Sequence, residues 1–180
     1  RLCKKIVVEI HGTPCTAICQ LVPCSTYFFE QVEKWCRVLF DNDNISFAQF
    51  DFIDNGCGRI VPIDFACRVG GGMSELFGEC ENNFYADAVW GKQYQSEVSK
   101  GYLTQFNYLP TKSGILSKDD YNLIEGRHFI YKHKGDFVPE SPSSVASRIA
   151  VVVRNYPPAT EKDAGQLLIG DDCIDFWKNS

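Results

Sequence analysis

The chain has 180 residues, of which 44% are apolar and 23% charged, with a formal charge of −5. That balance suits one ordinary globular domain with a sizeable core and excludes disorder, collagen and coiled coil. Lys and Arg are dispersed, which argues against a nucleic-acid partner, and the longest aliphatic run, Ile149-Ala150-Val151-Val152-Val153, is far short of the roughly 20 residues that a membrane-spanning helix needs.

Lys5-Ile6-Val7-Val8-Glu9-Ile10 predicts a buried strand that stops at the breaker cluster His11-Gly12-Thr13-Pro14. From about Leu21 to Asp41, Phe28, Val32, Trp35, Cys36, Leu39 and Phe40 recur at helical spacing with Glu30, Glu33, Lys34 and Arg37 between them, which predicts an amphipathic helix. Residues 45–52 alternate apolar with polar or small, as a strand does. Strand, helix and strand in succession predict a βαβ unit with parallel strands and a right-handed crossover. The stretch 54–100, broken by Gly56, Gly58 and Gly70-Gly71-Gly72, reads as mostly irregular, with a helix fitting Lys92 to Tyr102 and a loop fitting Leu109 to Gly114. His128-Phe129-Ile130-Tyr131 and Asp136-Phe137-Val138 flank Lys134-Gly135 and predict a hairpin. A last helix is expected with Ser141 as its N-cap, Pro142 at its first position, Val145, Ile149 and Val153 as its buried stripe, and Pro157-Pro158 as its stop. The simplest partition is a domain over residues 1–160 and a C-terminal extension over 161–180.

Nine cysteines are many for a cytosolic enzyme and too sparse for a small disulfide scaffold. No C-x-x-C pair occurs, which removes the usual zinc-ribbon and thioredoxin signatures. Asn44-Ile45-Ser46 is a glycosylation sequon of a kind that also arises by chance. Cys15 and Cys19 lie where the first strand is expected to hand over to the helix. A helix N-terminus favours thiolate over thiol, and a C-x-x-x-C spacing lets two sulfurs face one point across a helical turn. The competing reading makes both of them small buried hydrophobes. Histidine is scarce: His11, His128 and His133 are the whole set. His128 opens a predicted strand from which it could reach the cysteine loop, and two thiolates with one imidazole form a soft set suited to Cu(I). The plainer reading of His128 is a hydrogen-bonded structural residue.

A strand, C-x-x-x-C at a helix start, a helix, a second strand ending in Phe52-Ile53-Asp54, and a distal His128 before Gly135-Asp136-Phe137 together resemble the Sco proteins, thioredoxin-like copper chaperones of cytochrome c oxidase assembly. Tyr108-Leu109-Pro110, Asp119-Asp120-Tyr121, His128-Phe129-Ile130-Tyr131 and Ser144-Val145-Ala146-Ser147-Arg148-Ile149 follow in the family's order. Thr16 and Gln20 stand where the family usually has proline, and Arg127 where it commonly has aspartate. The resemblance implies an α/β, thioredoxin-like fold, a central mixed sheet flanked by helices. It implies a copper ion held by Cys15, Cys19 and His128, with Cys15 and Cys19 as a redox pair. It also implies a place at the mitochondrial inner membrane facing the intermembrane space, through an anchor outside this sequence, with the copper-bearing subunit of cytochrome c oxidase as partner. A Sco-derived accessory subunit of a respiratory complex is the alternative. A peroxiredoxin-like thiol enzyme, suggested by Thr13-Pro14-Cys15-Thr16, is a third.

Overall fold

The computed structural model describes residues 2–40, 48–57, 59–68, 70, 72–80, 102–118, 123–139, 147–170 and 174–175. The chain divides into two compact units, one of residues 1–22 with 98–180 and one of residues 23–97. The sequon at 44–46 and the Ser141-Pro142 helix start lie outside the described residues, as does the helix expected from Lys92 to Tyr102 except for Tyr102 itself, which lies in a strand. Among the described residues, no helix is long and apolar enough to cross a membrane.

The first unit is built on an antiparallel hairpin, β1 (Leu2–Ile10) and β2 (Thr13–Val22). Its turn is made by His11 and Gly12, both at positive φ (50° and 75°), the conformation that glycine adopts without steric cost. Then come β5 (Tyr102–Pro110), β7 (Arg127–Ile130) and β9 (Ala150–Tyr156), giving the order β1-β2-β5-β9-β7 with every neighbouring pair antiparallel. A short strand β10 (Leu168–Ile169) joins β5 in parallel beyond the residues that β2 occupies. A small three-stranded sheet is made by β6 (Gly114–Leu116), β8 (Phe137–Val138) and β11 (Ile174–Asp175). One cross-strand row, Ile6, Ile18, Phe106 and Val152, lies in the core. Leu116 and Val138 from the small sheet, with Ala164, Leu167 and Ile169 from the chain's end, belong to the same core. The short helix α3 (Glu161–Gly165) is fixed by Asp163, whose carboxylate accepts from the Thr160 backbone N–H (2.8 Å) and the Thr160 hydroxyl (2.7 Å).

The second unit holds α1 (Thr26–Phe40), the antiparallel ribbon β3 (Gln49–Asp54) and β4 (Ile60–Ala66), and α2 (Ser74–Cys80). Ser25 caps α1, its Oγ accepting from the Phe28 N–H at 3.3 Å. The apolar stripe of α1 meets the ribbon through aromatic rings: Phe28 on Phe52 at 5.6 Å between centroids, Trp35 on Phe50 at 5.6 Å and Phe40 on Phe65 at 5.9 Å.

The α/β, thioredoxin-like fold expected from the resemblance is overturned by this architecture. The expected βαβ unit does not form, because the segment after the His11-Gly12 turn runs on as strand β2 and pairs back on β1. The helix that follows leads into a separate two-stranded ribbon rather than to a parallel strand of the same sheet. The apolar run 149–153 carries the central strand β9 rather than the end of a helix. Its residues are buried, as a strand covered on both faces requires, and over five residues an unbroken apolar run fits helix and strand equally. The hairpin expected across Lys134-Gly135 does not close either: β7 pairs with β9 and β8 with β6.

Candidate functional site

The residues expected to hold copper are placed by β2 and β7. Cys15 and Cys19 stand four apart on β2, and in a regular strand they would share a face. The register slips between them: Ile6 pairs with Ile18 but Val7 pairs with Thr16, so Ala17 is the extra residue of a bulge. The bulge reverses the alternation. Cys15 turns into the core among Ile10, Ala17 and Ile18, and its Sγ donates to the Thr13 carbonyl at 3.3 Å. Burial pushes its thiol pKa up, the reverse of the lowering expected of a helix N-terminus, because no helix starts there. Cys19 lies in the row Lys5, Cys19, Gln105, Val153 and Arg127, on the opposite face. His128 sits on the edge strand β7, three strand spacings or about 14 Å from β2, exposed, with Nε2 against the Ile124 carbonyl at 2.8 Å. The three groups are not brought together. Among the described residues, no group of three or more His, Cys, Asp or Glu side chains is arranged to hold a metal ion. Cys15, Cys19 and His128 therefore do not form the shared copper site that the resemblance implies.

A different constellation stands on the β3–β4 ribbon. Phe50, Phe52 and Phe65 are packed against rings of α1, so the alternate residues of β3, Gln49, Asp51 and Ile53, belong to the face turned away from that helix. On that face Asp51 is directly opposite Asp64. The pairing slips immediately beyond, where Phe52 meets Pro62 and Ile63 is the additional residue; such bulges re-aim side chains at functional edges. Each carboxylate is oriented locally. Asp51 Oδ1 accepts from Gln49 Nε2 at 3.1 Å, and Asp64 Oδ1 accepts from the Phe65 N–H at 2.8 Å. Gln49 also reaches forward in the chain, its Oε1 accepting from the Gly70 N–H at 2.8 Å. The start of the glycine tract is thereby tied to Gln49, the same side chain that bonds Asp51, and a Cβ on Gly70 would lie 3.2 Å from Gln49 Nε2. The Gly70 carbonyl in turn accepts from the Met73 N–H at 3.0 Å, leading into α2.

Like charges directly opposite on a ribbon oppose folding, whereas two aligned carboxylates are the donors that a hard divalent cation takes from protein when phosphate oxygens supply the remainder. The residues therefore fit a magnesium-type ion bridged to a phosphate ligand. Reading the sequence for thiol and imidazole donors passed over these aspartates. Part of the signal was present: Phe50-Asp51-Phe52-Ile53-Asp54 and Val61-Pro62-Ile63-Asp64-Phe65 are two alternating segments separated by Asn55-Gly56-Cys57-Gly58-Arg59, turn chemistry that predicts a hairpin, while the five-residue loop and the bulge set Asp51 against Asp64. The turn is secured by the Asp54 carboxylate accepting from the Gly56 N–H at 2.9 Å and the Asn55 side-chain oxygen accepting from the Cys57 N–H at 3.0 Å. The ribbon and α1 also border a cleft of about 480 Å³, lined chiefly by Trp35, Val38, Phe50, Pro62, Ile63 and Phe65, with Lys34 and Asp64 among the residues that reach it.

No protein-family model matches the chain, and no curated protein matches it in sequence. Among solved structures, the chain is similar to phosphoribosylglycinamide synthetase from Anaerococcus prevotii, with a TM-score of 0.59 and 18% identity over 92% of this chain and 46% of that one. The likeness is one of fold, and the chain spans a little under half the length of that synthetase. It completes the correction of the thioredoxin-like fold and carries nothing of the respiratory, mitochondrial or copper-handling expectations.

Proposed function

We propose that this chain forms part of an ATP-grasp-type ligase and holds a divalent cation between Asp51 and Asp64, with a nucleoside triphosphate as the cation's other ligand. The observation that carries the reading is the direct cross-strand pairing of these two aspartates, on a ribbon whose next segment is glycine-rich and tied back by Gln49. The synthetase-like fold supports it.

The residues divide the work by chemistry. Asp51 and Asp64 supply two hard anionic oxygens, and Gln49 fixes the rotamer of Asp51 through its amide N–H. Gly70 leaves the approach to Gln49 unobstructed by a side chain, so that a phosphate group can come near the backbone of the glycine tract. A divalent cation bound there supplies charge neutralisation to the phosphoryl oxygens during transfer. The acceptor of the activated group is left open, because the chain covers less than half of the similar synthetase.

Equilibrium dialysis of the full chain with Mn²⁺, with and without ATP, tests the reading. Tighter Mn²⁺ retention in the presence of ATP is expected, abolished in Asp51→Asn and in Asp64→Asn and unchanged in Cys15→Ala. Retention that is indifferent to both aspartate substitutions overturns it.

A further inference from the structure

The slip in register that separates Cys15 from Cys19 gives Cys19 a different neighbour. Cys3 is opposite Leu21 and Lys5 is opposite Cys19, so Cys3 and Cys19 are diagonal neighbours on one face of the β1–β2 hairpin. No disulfide joins them in the structure. Cys19 is buried, at 1% exposure, and Cys3 is half-buried near the start of its strand.

We propose that Cys3 and Cys19 are the two halves of a reversible disulfide that locks the β1–β2 hairpin in response to a low-molecular-weight disulfide oxidant of the glutathione type. Diagonal partners on a ribbon stand about 7–8 Å apart, at or just beyond what a disulfide spans, so closure requires the start of β1 to shift toward β2. The strand can comply. Cys3 is its second residue, three positions before Ile6, the first side chain by which the strand is anchored in the core. A bridge closed from such a position is of the labile, regulatory kind rather than the inert structural kind.

The chemistry balances in two exchanges. The Cys3 thiol, more accessible than that of Cys19, loses a proton and attacks one sulfur of the oxidant; the oxidant's S–S bond breaks and one glutathione thiolate leaves. The Cys19 thiol loses its proton and attacks the Cys3 sulfur of the mixed disulfide, and the second glutathione thiolate leaves. Two electrons pass from the protein thiols to the oxidant, and the two protons are taken up by the departing thiolates. The neighbouring Cys19 thiol, and then burial, push the Cys3 pKa up and keep it in its thiol form, against the pull of Lys5, so the first exchange is slow at neutral pH.

The test is incubation of the full-length protein with oxidised glutathione, followed by tandem mass spectrometry of the digest and hydrogen exchange of the β1 amides. A Cys3–Cys19 linkage is expected, with exchange in β1 slowed by about tenfold, as closing a short loop entails. Both effects reverse on adding dithiothreitol and are absent in Cys3→Ser. Comparing oxidised with reduced wild-type protein keeps the test independent of whether Cys19→Ser folds. A stable glutathione adduct on Cys3 without closure overturns the proposal. So does a linkage confined to other cysteines, or a Cys3–Cys19 linkage that leaves β1 exchange unchanged.

Discussion

Replacing Gln20 by leucine probes the arrangement that displaced the expected helix start. Gln20 is 1% exposed on β2, and its side-chain amide makes three hydrogen bonds: Nε2 donates to Thr104 Oγ1 (2.6 Å) and to the Pro157 carbonyl (3.0 Å), while Oε1 accepts from the Ala159 N–H (3.0 Å). In Gln20→Leu the Thr104 hydroxyl keeps its bond to the Tyr102 carbonyl, and the Pro157 carbonyl, on an exposed residue, turns to water. The Ala159 N–H, on a residue 3% exposed, is left without a partner. A buried orphan donor costs about 1 to 3 kcal/mol and each lost bond about 1 kcal/mol, so the substitution is expected to destabilise the first unit by about 3 kcal/mol. Urea denaturation followed by circular dichroism gives the total, and hydrogen exchange at the Ala159 amide gives the local effect. Gln20→Glu at low pH, where the carboxyl is neutral, retains an acceptor for Ala159 and one O–H donor in place of two N–H donors, and is expected to fall between leucine and wild type. A cost for Gln20→Leu below about 0.5 kcal/mol, with the Ala159 amide still protected, refutes the reasoning.

Other outcomes follow from the same geometry. Phe106→Ala removes a ring that is 1% exposed and meets Tyr156 edge-on at 5.0 Å; a loss of about 3 to 5 kcal/mol in chemical denaturation is expected. Gly126→Ala places a Cβ 2.7 Å from Val152 Cγ1 and 3.0 Å from the Val153 carbonyl, at φ +153°, and is expected to loosen β7 from β9, read as faster exchange of the β7 amides. The Thr160 hydroxyl, then the Thr160 N–H, hold the Asp163 carboxyl below its ordinary pKa. Its contribution is therefore complete above the ordinary carboxylate range and is lost as pH falls through and below it, so Asp163→Asn should make the acid limb of the stability profile shallower than in the wild type.

Several elements were legible because their patterns were local. The stripe Phe28, Val32, Trp35, Leu39 and Phe40 fits only a helix, and α1 occupies most of the expected span. The β-branched run at 5–10 lies within β1, and the alternating aromatics and aspartates after Ala48 within β3. What misled was pairing, which is not a local property. Thr13-Pro14-Cys15 has the look of a loop leading into a helix, yet the His11-Gly12 turn folds that segment back on β1, and a bulge of one residue then decides which face each cysteine occupies. Val151-Val152-Val153 is a central strand because β5 and β7 flank it, 40 residues and more than 20 residues earlier in the chain. The site was missed for a related reason. Two aspartates 13 residues apart gain meaning only through the register that sets them face to face, whereas a C-x-x-x-C pair invites attention by spacing alone.

The cation reading is tested most directly by adding Mn²⁺ with ATP to isotope-labelled protein and recording which amide resonances broaden. Broadening is predicted at Asp51, Asp64 and Gly70, disappearing from the ribbon in Asp64→Asn. Broadening centred elsewhere, or undiminished on the ribbon in Asp64→Asn, contradicts it.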